Sequence, residues 1–274
     1  MIGTTRTTRT TRRAVIASLA ALPLGLAAAP TALAAPREDN RPVPRTLYIA
    51  GDSTAAQKYA AAAPETGWGM ALPFFLGRGL TVANHAMNGR SSKSFVDEGR
   101  LTAILASIRP GDLLLVQFAH NDEKIEDPAR YTEPWTTYQD HLRQYLDGAR
   151  QRGAHPVLAT SVERRRFDAS GNALPTHGEY PAAMRALAER ERVPLLDIQE
   201  LSLSLWQKLG AEETKRYFNW TGTTQDNTHF SPFGAIEIAR LVAGLLAAQR
   251  VSRPGEVRRL DDEIPESWIT WPAG

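Results

Sequence analysis

The stretch Leu47-Tyr48-Ile49-Ala50-Gly51-Asp52-Ser53-Thr54 runs apolar for four residues and then breaks into a glycine, an acid and two hydroxyls. Such a run, ended by a glycine that permits a sharp turn, reads as a buried strand leading into a helix. Similar runs follow at Leu80 to Ala83, Leu113 to Phe118, Pro156 to Ala159 and Pro194 to Ile198. The intervals are long enough for helical crossovers between parallel strands. Met70 to Leu76, Leu101 to Ile108, Tyr138 to Arg150, Ala182 to Arg190 and Leu201 to Leu209 carry apolar residues at three- and four-residue spacing, as helices do. The last helix has the clearest start: Ser231 suits its N-cap and Pro232 its first position, ahead of an apolar stripe from Ile236 to Leu246. The alternation predicts an α/β domain of three layers, a five-stranded and mainly parallel sheet with helices on both faces.

The ends of the chain read differently. Thr- and Arg-rich residues to Arg13, an apolar stretch from Ala14 to Ala29 and the small-x-small site Ala32-Leu33-Ala34 predict a signal peptide over residues 1–34. Pro23 and Gly25 interrupt that stretch, which is too short for a membrane anchor. Arg12-Arg13 ahead of it resembles a twin-arginine export signal. Residues 35–45 form a polar lead-in, 46–250 the domain and 251–274 a polar tail, whose Trp268 and Trp271 are expected to pin it to the body.

The 274-residue chain has a formal charge of +2, with 32 basic and 30 acidic residues. Arg6, Arg9, Arg12 and Arg13 lie in the leader, which has no acid, so its removal leaves acids in excess. A nucleic-acid partner is therefore not expected, nor a membrane once the leader is gone. The chain has no cysteine, which excludes disulfides.

Ligands of parallel sheets bind beyond the carboxyl ends of the strands, so the junctions matter most. After the first strand, Ser53 stands where backbone N–H groups can stabilise an oxyanion, although Gly51-Asp52-Ser53 is also an ordinary capped turn. After the second, Gly89 lets a backbone N–H approach a ligand, or is a plain loop glycine. After the third, Asn121 in Ala119-His120-Asn121-Asp122 offers a neutral amide donor, or a turn former. Near the C-terminus, Asp226 and His229 are spaced so that a tight turn brings the carboxylate against the ring and frees the other nitrogen as a base. A serine, a glycine N–H, an asparagine amide and an Asp-His couple together complete the inventory for serine acyl transfer.

At these residues the sequence resembles the SGNH, or GDSL-type, hydrolases, whose four blocks match Gly51-Asp52-Ser53, Gly89, Asn121-Asp122 and Asp226-x-x-His229. Gly67-Trp68-Gly69, Asn88-Gly89-Arg90-Ser91, His120-Asn121-Asp122 and Asp226-Asn227-Thr228-His229-Phe230-Ser231 resemble the rhamnogalacturonan acetylesterase branch. The resemblance spans Thr46 to about Gln249 and implies a flavodoxin-like sandwich. It makes Ser53 the nucleophile, His229 the base and Asp226 its orienter, with an oxyanion hole from the Ser53 and Gly89 N–H groups and the Asn121 side chain. Ala119 departs from the family's usual glycine, for which a small adjustment of Asn121 is expected.

The reading implied is a secreted, monomeric serine esterase that needs no cofactor and no metal. Its substrate would be an acetylated polysaccharide, foremost rhamnogalacturonan, with a xylan or general carbohydrate acetylesterase, lipase or thioesterase as alternatives. Arg90, Lys93, Lys124 and Arg165 are the cations placed to pair with a galacturonate carboxylate, or else are solvated charges. A classical α/β-hydrolase fails because Ser53 follows the first strand and lacks the Gly-x-Ser-x-Gly context. A metal site on His120, Asp122, Asp226 and His229 leaves Ser53 and Gly89 unexplained, and a non-catalytic sugar-binding module leaves every catalytic residue unexplained.

Overall fold

The computed structural model describes residues 43–274. The expected leader, its cleavage site and most of the lead-in lie outside that range. Five strands, β1 (Arg45–Gly51), β2 (Leu80–Asn84), β3 (Leu113–Gln117), β4 (His155–Ala159) and β5 (Leu195–Leu196), form one parallel sheet in the order β2-β1-β3-β4-β5. All five expected strands are present. β5 is shorter than its apolar run because the chain turns into a helix already at Ile198.

Side chains alternate across a strand, so each buried strand feeds two cores. Leu47 and Ile49 of β1, with Leu113 and Leu115 of β3, pack on one face against Trp68, Phe75 and Trp206. Tyr48 and Ala50, with Leu114 and Val116, pack on the other against Phe95, Leu142 and Met184. The helices that follow the strands are α1 (Trp68–Ala71), α2 (Ser92–Asp97), α3 (Arg100–Ser107), α4 (Gln139–Gln151), α5 (Tyr180–Glu191) and α6 (Ile198–Thr214). Residues of α1, α6 and α7 (Pro232–Ala248) belong to the first core, and residues of α2 to α5 to the second. The chain thus has the three layers its pattern predicts.

Local chemistry sets several boundaries. α1 stops early because Pro73 enters a 3-10 turn, Leu72–Phe75, where a single helix over Met70 to Leu76 is expected from the pattern. α6 runs past the expected Leu209, with Gly210 in a non-helical conformation inside it. α7 starts as expected: the Ser231 hydroxyl accepts from the Gly234 N–H at 3.0 Å and Pro232 follows. Two elements go unannounced in the apolar pattern. One is α2, capped by Ser91 with Ser94 returning the bond. The other is an antiparallel hairpin of β6 (Phe218–Trp220) and β7 (Gln225–Phe230).

The C-terminal segment is part of the body. Ile264 and Ile269 are buried in the first core, the Trp271 indole donates to the Glu65 carbonyl at 2.8 Å, and Glu256 forms a buried ion pair with Arg45 at 2.6 Å. Among the described residues no helix is long and apolar enough to cross a membrane.

Candidate active site

Ser53 stands just past the end of β1 in a turn held from below. The Asp52 carbonyl accepts the N–H groups of Ala55 and Ala56. The Asp52 side chain, fully buried, accepts from the Thr54 N–H at 2.9 Å and the Thr54 hydroxyl at 2.7 Å, and its other oxygen lies 3.0 Å from His120 Nδ1. Burial by itself raises the pKa of this carboxyl, but His120 and Thr54 outweigh it and hold the group down at about 2. Burial dominates for His120 and lowers it to about 4. Gln117 ties the same carboxylate to the Ser161 hydroxyl, so β1, β3 and the segment after β4 share one buried polar network.

The other end of the chain arrives on β7. The hairpin pairs Phe218 with Phe230 and Trp220 with Gln225, so β7 spans more residues than β6 between the two pairs and carries a bulge. This corrects the expected tight turn. The bulge does what the turn would have done: Asp226 Oδ1 accepts the N–H groups of Thr228 at 2.7 Å and His229 at 3.0 Å, and Asp226 Oδ2 lies 2.7 Å from His229 Nδ1. Burial raises the Asp226 carboxyl, and the His229 and Thr228 hydrogen bonds bring it down to about 2. An ionised Asp226 accepts the Nδ1–H, leaving Nε2 as an acceptor 2.9 Å from the Ser53 hydroxyl.

Gly89 has φ +76°, the left-handed region that glycine enters without penalty. Neither its N–H nor that of Ser53 donates a hydrogen bond among the described residues. Asn121 is buried, and its amide donates to the Arg90 carbonyl at 3.0 Å, which links the loops after β3 and β2. The Met87 N–H donates to the Gly51 carbonyl at 2.9 Å and links the loop after β2 to the turn that carries Ser53. Ala119, near Asn121 in the chain, is buried.

The side chains weighed above as metal ligands are divided. His120 pairs with Asp52 and Asp226 with His229, whereas Asp122 accepts from Ser92 and Thr132. Among the described residues no three His, Cys, Asp or Glu side chains group as a metal site would. Burial raises the Asp122 carboxyl to about 7 despite those donors.

The four expected substrate cations are not alike. Arg90 is paired with Glu98 at 3.0 Å and Lys93 with Asp97 at 2.9 Å, and Lys124 sits in the loop after β3 with no carboxylate partner among the described residues. Arg165 is occupied by the fold. Its N–H donates to the Asn227 carbonyl at 2.9 Å, its guanidinium to Asn227 Oδ1 at 3.0 Å and to the Ala211 carbonyl, and it lies over the Trp220 ring at 4.7 Å. Asn227 sits between Asp226 and His229, so Arg165 braces the bulge instead of standing free as a carboxylate clamp. Sequence reasoning missed this brace, and it missed the Asp52–His120–Gln117 support; the polar Gln117 at the end of an otherwise apolar strand was the available signal.

The GDSL-like lipase/acylhydrolase family matches residues 49–235. The chain is 46% identical over 209 residues to the rhamnogalacturonan acetylesterase RhgT of Bacillus subtilis, covering 73% of this chain and 88% of that protein. It is 46% identical over 197 residues to the probable rhamnogalacturonan acetylesterase YesY of the same organism, covering 72% and 90%. Among solved structures, the crystal structure of YxiM from Bacillus subtilis superposes with a TM-score of 0.68 at 29% identity, over 77% of this chain and 59% of that one.

Proposed function

The chain belongs to the GDSL-like lipase/acylhydrolase family and is a carboxylic ester hydrolase; from that premise we propose that it removes acetyl groups from rhamnogalacturonan by a serine acyl-enzyme mechanism, outside the cell. The observation that carries the mechanism is the unbroken chain of hydrogen-bonding distances from Asp226 through His229 to Ser53, 2.7 Å and 2.9 Å. Ser53 Oγ attacks the acetyl carbonyl while His229 Nε2 takes its proton. The negative oxygen is met by the Ser53 and Gly89 N–H groups and the Asn121 amide, donors held in place before the substrate arrives. The sugar alkoxide leaves with the proton from His229, and Ser53 keeps the acetyl group as an ester. Water, deprotonated by His229, then releases acetate and restores the hydroxyl. Asp226 stays ionised throughout and holds the imidazole in the tautomer the first step needs.

The substrate reading rests on the similarity to RhgT and YesY, and export rests on the leader-like sequence of residues 1–34. Acetate release from acetylated rhamnogalacturonan, acetylated xylan and p-nitrophenyl acetate tests the first; rhamnogalacturonan should be the preferred polymer. Ser53→Ala and His229→Ala should each lower kcat by on the order of 10⁴ to 10⁶ with the fold intact by circular dichroism. Retention of most activity in Ser53→Ala would refute the mechanism. The mass of protein recovered from culture medium tests export, with removal of residues up to Ala34 expected.

A further inference from the structure

The proposed mechanism asks the Gly89 N–H to meet the oxyanion, yet glycine is the residue least able to hold such a donor still. A peptide unit ahead of a glycine can turn over at little cost, because glycine accepts φ of either sign. A planar trans peptide sends its N–H opposite to its C=O, so whatever fixes the Asn88 carbonyl also fixes where the Gly89 N–H points. That carbonyl accepts from Arg90 Nη1 at 2.8 Å. The guanidinium is in turn seated on Glu98, whose two carboxylate oxygens each lie 3.0 Å from Arg90 Nε. Arg100 shares the same carboxylate at 2.5 Å.

The same short segment is held at further points. The carbonyl of Arg90 itself accepts the Asn121 amide at 3.0 Å, so this residue carries the mountings of two oxyanion donors, one through its side chain and one through its backbone. The Asn88 side chain accepts from Lys58 Nζ at 2.7 Å. Lys58 is 1% exposed and pairs with Glu65 at 2.6 Å. A cation buried that deeply is costly to leave without partners, which makes its bond to Asn88 hard to break. The loop before the peptide is tied down by the Met87 N–H, which donates to the Gly51 carbonyl. The Gly89 N–H is thus the free end of a peptide unit anchored on every other side, and it donates no hydrogen bond among the described residues.

We infer that Arg90 is a positioning residue for the oxyanion hole: its guanidinium, seated on Glu98, holds the Asn88–Gly89 peptide in the orientation that offers the Gly89 N–H to the substrate. The inference rests on the proposed serine mechanism. A cation on the carbonyl also polarises the peptide and strengthens its N–H as a donor. Arg90 then serves the acetyl end of every substrate, whatever sugar bears it, whereas the sequence suggested a partner for a uronate carboxylate. Being 32% exposed, the side chain can be removed without opening the core.

The test measures kcat and KM on acetylated rhamnogalacturonan and on p-nitrophenyl acetate for wild type, Arg90→Ala and Arg90→Lys, together with inhibition by phenylboronic acid, whose adduct with Ser53 puts a boron-bound oxygen where the oxyanion forms. Arg90→Ala should lower kcat by roughly tenfold or more on both substrates with KM little changed, and should weaken the boronate by a comparable factor. Arg90→Lys should recover only part, since one ammonium cannot bond the carbonyl and keep the Nε seat on Glu98 together. Guanidinium ion at sub-denaturing concentration should restore part of the activity of Arg90→Ala and none of that of Asn121→Ala, a rescue that a general loosening of the fold would not give. An unchanged kcat on both substrates would overturn the positioning role and leave the serine mechanism standing. So would a rise in KM confined to the polymer, which would return Arg90 to carboxylate binding, or a fall in kcat with boronate affinity intact. Substantial activity in Ser53→Ala would overturn the mechanism and the positioning role together.

Discussion

Asn121 shows how one side chain serves two ends. Its amide has two N–H donors, and one is engaged by the Arg90 carbonyl at 3.0 Å, which fixes the plane of the group and leaves the second for the oxyanion of the proposed mechanism. Asn121→Ala should raise the barrier to turnover by about 3 kcal/mol, read as a fall in kcat with KM little changed. A large rise in KM at constant kcat would show instead that the residue binds ground-state substrate. Ser53 and Asn121 could be recognised in the sequence because each stands just after an apolar run, where a polar group has a reason to be, and Asp226 and His229 from their spacing ahead of the capped α7. Asp52 and His120 were visible there too, but not their pairing, because a contact between residues 68 apart depends on which strands are neighbours.

Among the elements, β7 carries the most functional burden for its length. An undistorted strand would point successive side chains to opposite faces; the bulge brings Asp226 and His229 together, and Arg165 secures it through Asn227. Arg165→Ala should lower kcat by roughly tenfold to a hundredfold by loosening the Asp226–His229 geometry. Arg165→Lys should not restore it, since a single ammonium cannot reach Asn227 and Ala211 together while lying flat on Trp220. Comparable losses in kcat/KM for polymer and synthetic ester would separate this brace from a substrate clamp, which would affect the polymer alone. α7 presses equally closely on its neighbour. A Cβ on Gly234 would lie 1.7 Å from the Tyr217 carbonyl oxygen, so Gly234→Ala should displace the helix start and lower the thermal midpoint well beyond the loss of a cap. An unchanged midpoint would count against that packing. The start of α7 was readable from Ser231 and Pro232, whereas the β6–β7 hairpin was not, because its residues are too polar to alternate visibly.

The buried acids couple the whole molecule to pH. Asp52 and Asp226 have pKa values depressed from 3.8 to about 2, so they add stability above pH ~4 that is lost as pH falls through about 2. His120, lowered from 6.5 to about 4, acts in the same sense: its contribution is complete above pH 6.5 and is lost as pH falls toward 4. Asp122 acts oppositely. Its folded form binds a proton more tightly than the unfolded chain does, so stability falls as pH rises from 3.8 to about 7. Asp122→Asn removes that titration. Its thermal midpoint relative to wild type should therefore improve between pH 4 and pH 8, and a relative decline over that interval would contradict the raised pKa.

The order and kind of the main elements, the cap of α7 and the residue types of the candidate site are legible along the chain. These follow from periodicity and from bonds between near neighbours, both of which are written along the chain. That His229 and Ser53, 176 residues apart, stand within hydrogen-bonding distance and that Arg165 braces the bulge emerge in the packed molecule alone. Those facts depend on strand order and on which side chains share a buried space. A bulge or an ion pair between distant residues is selected by the energy of the packed molecule, and no local pattern records it.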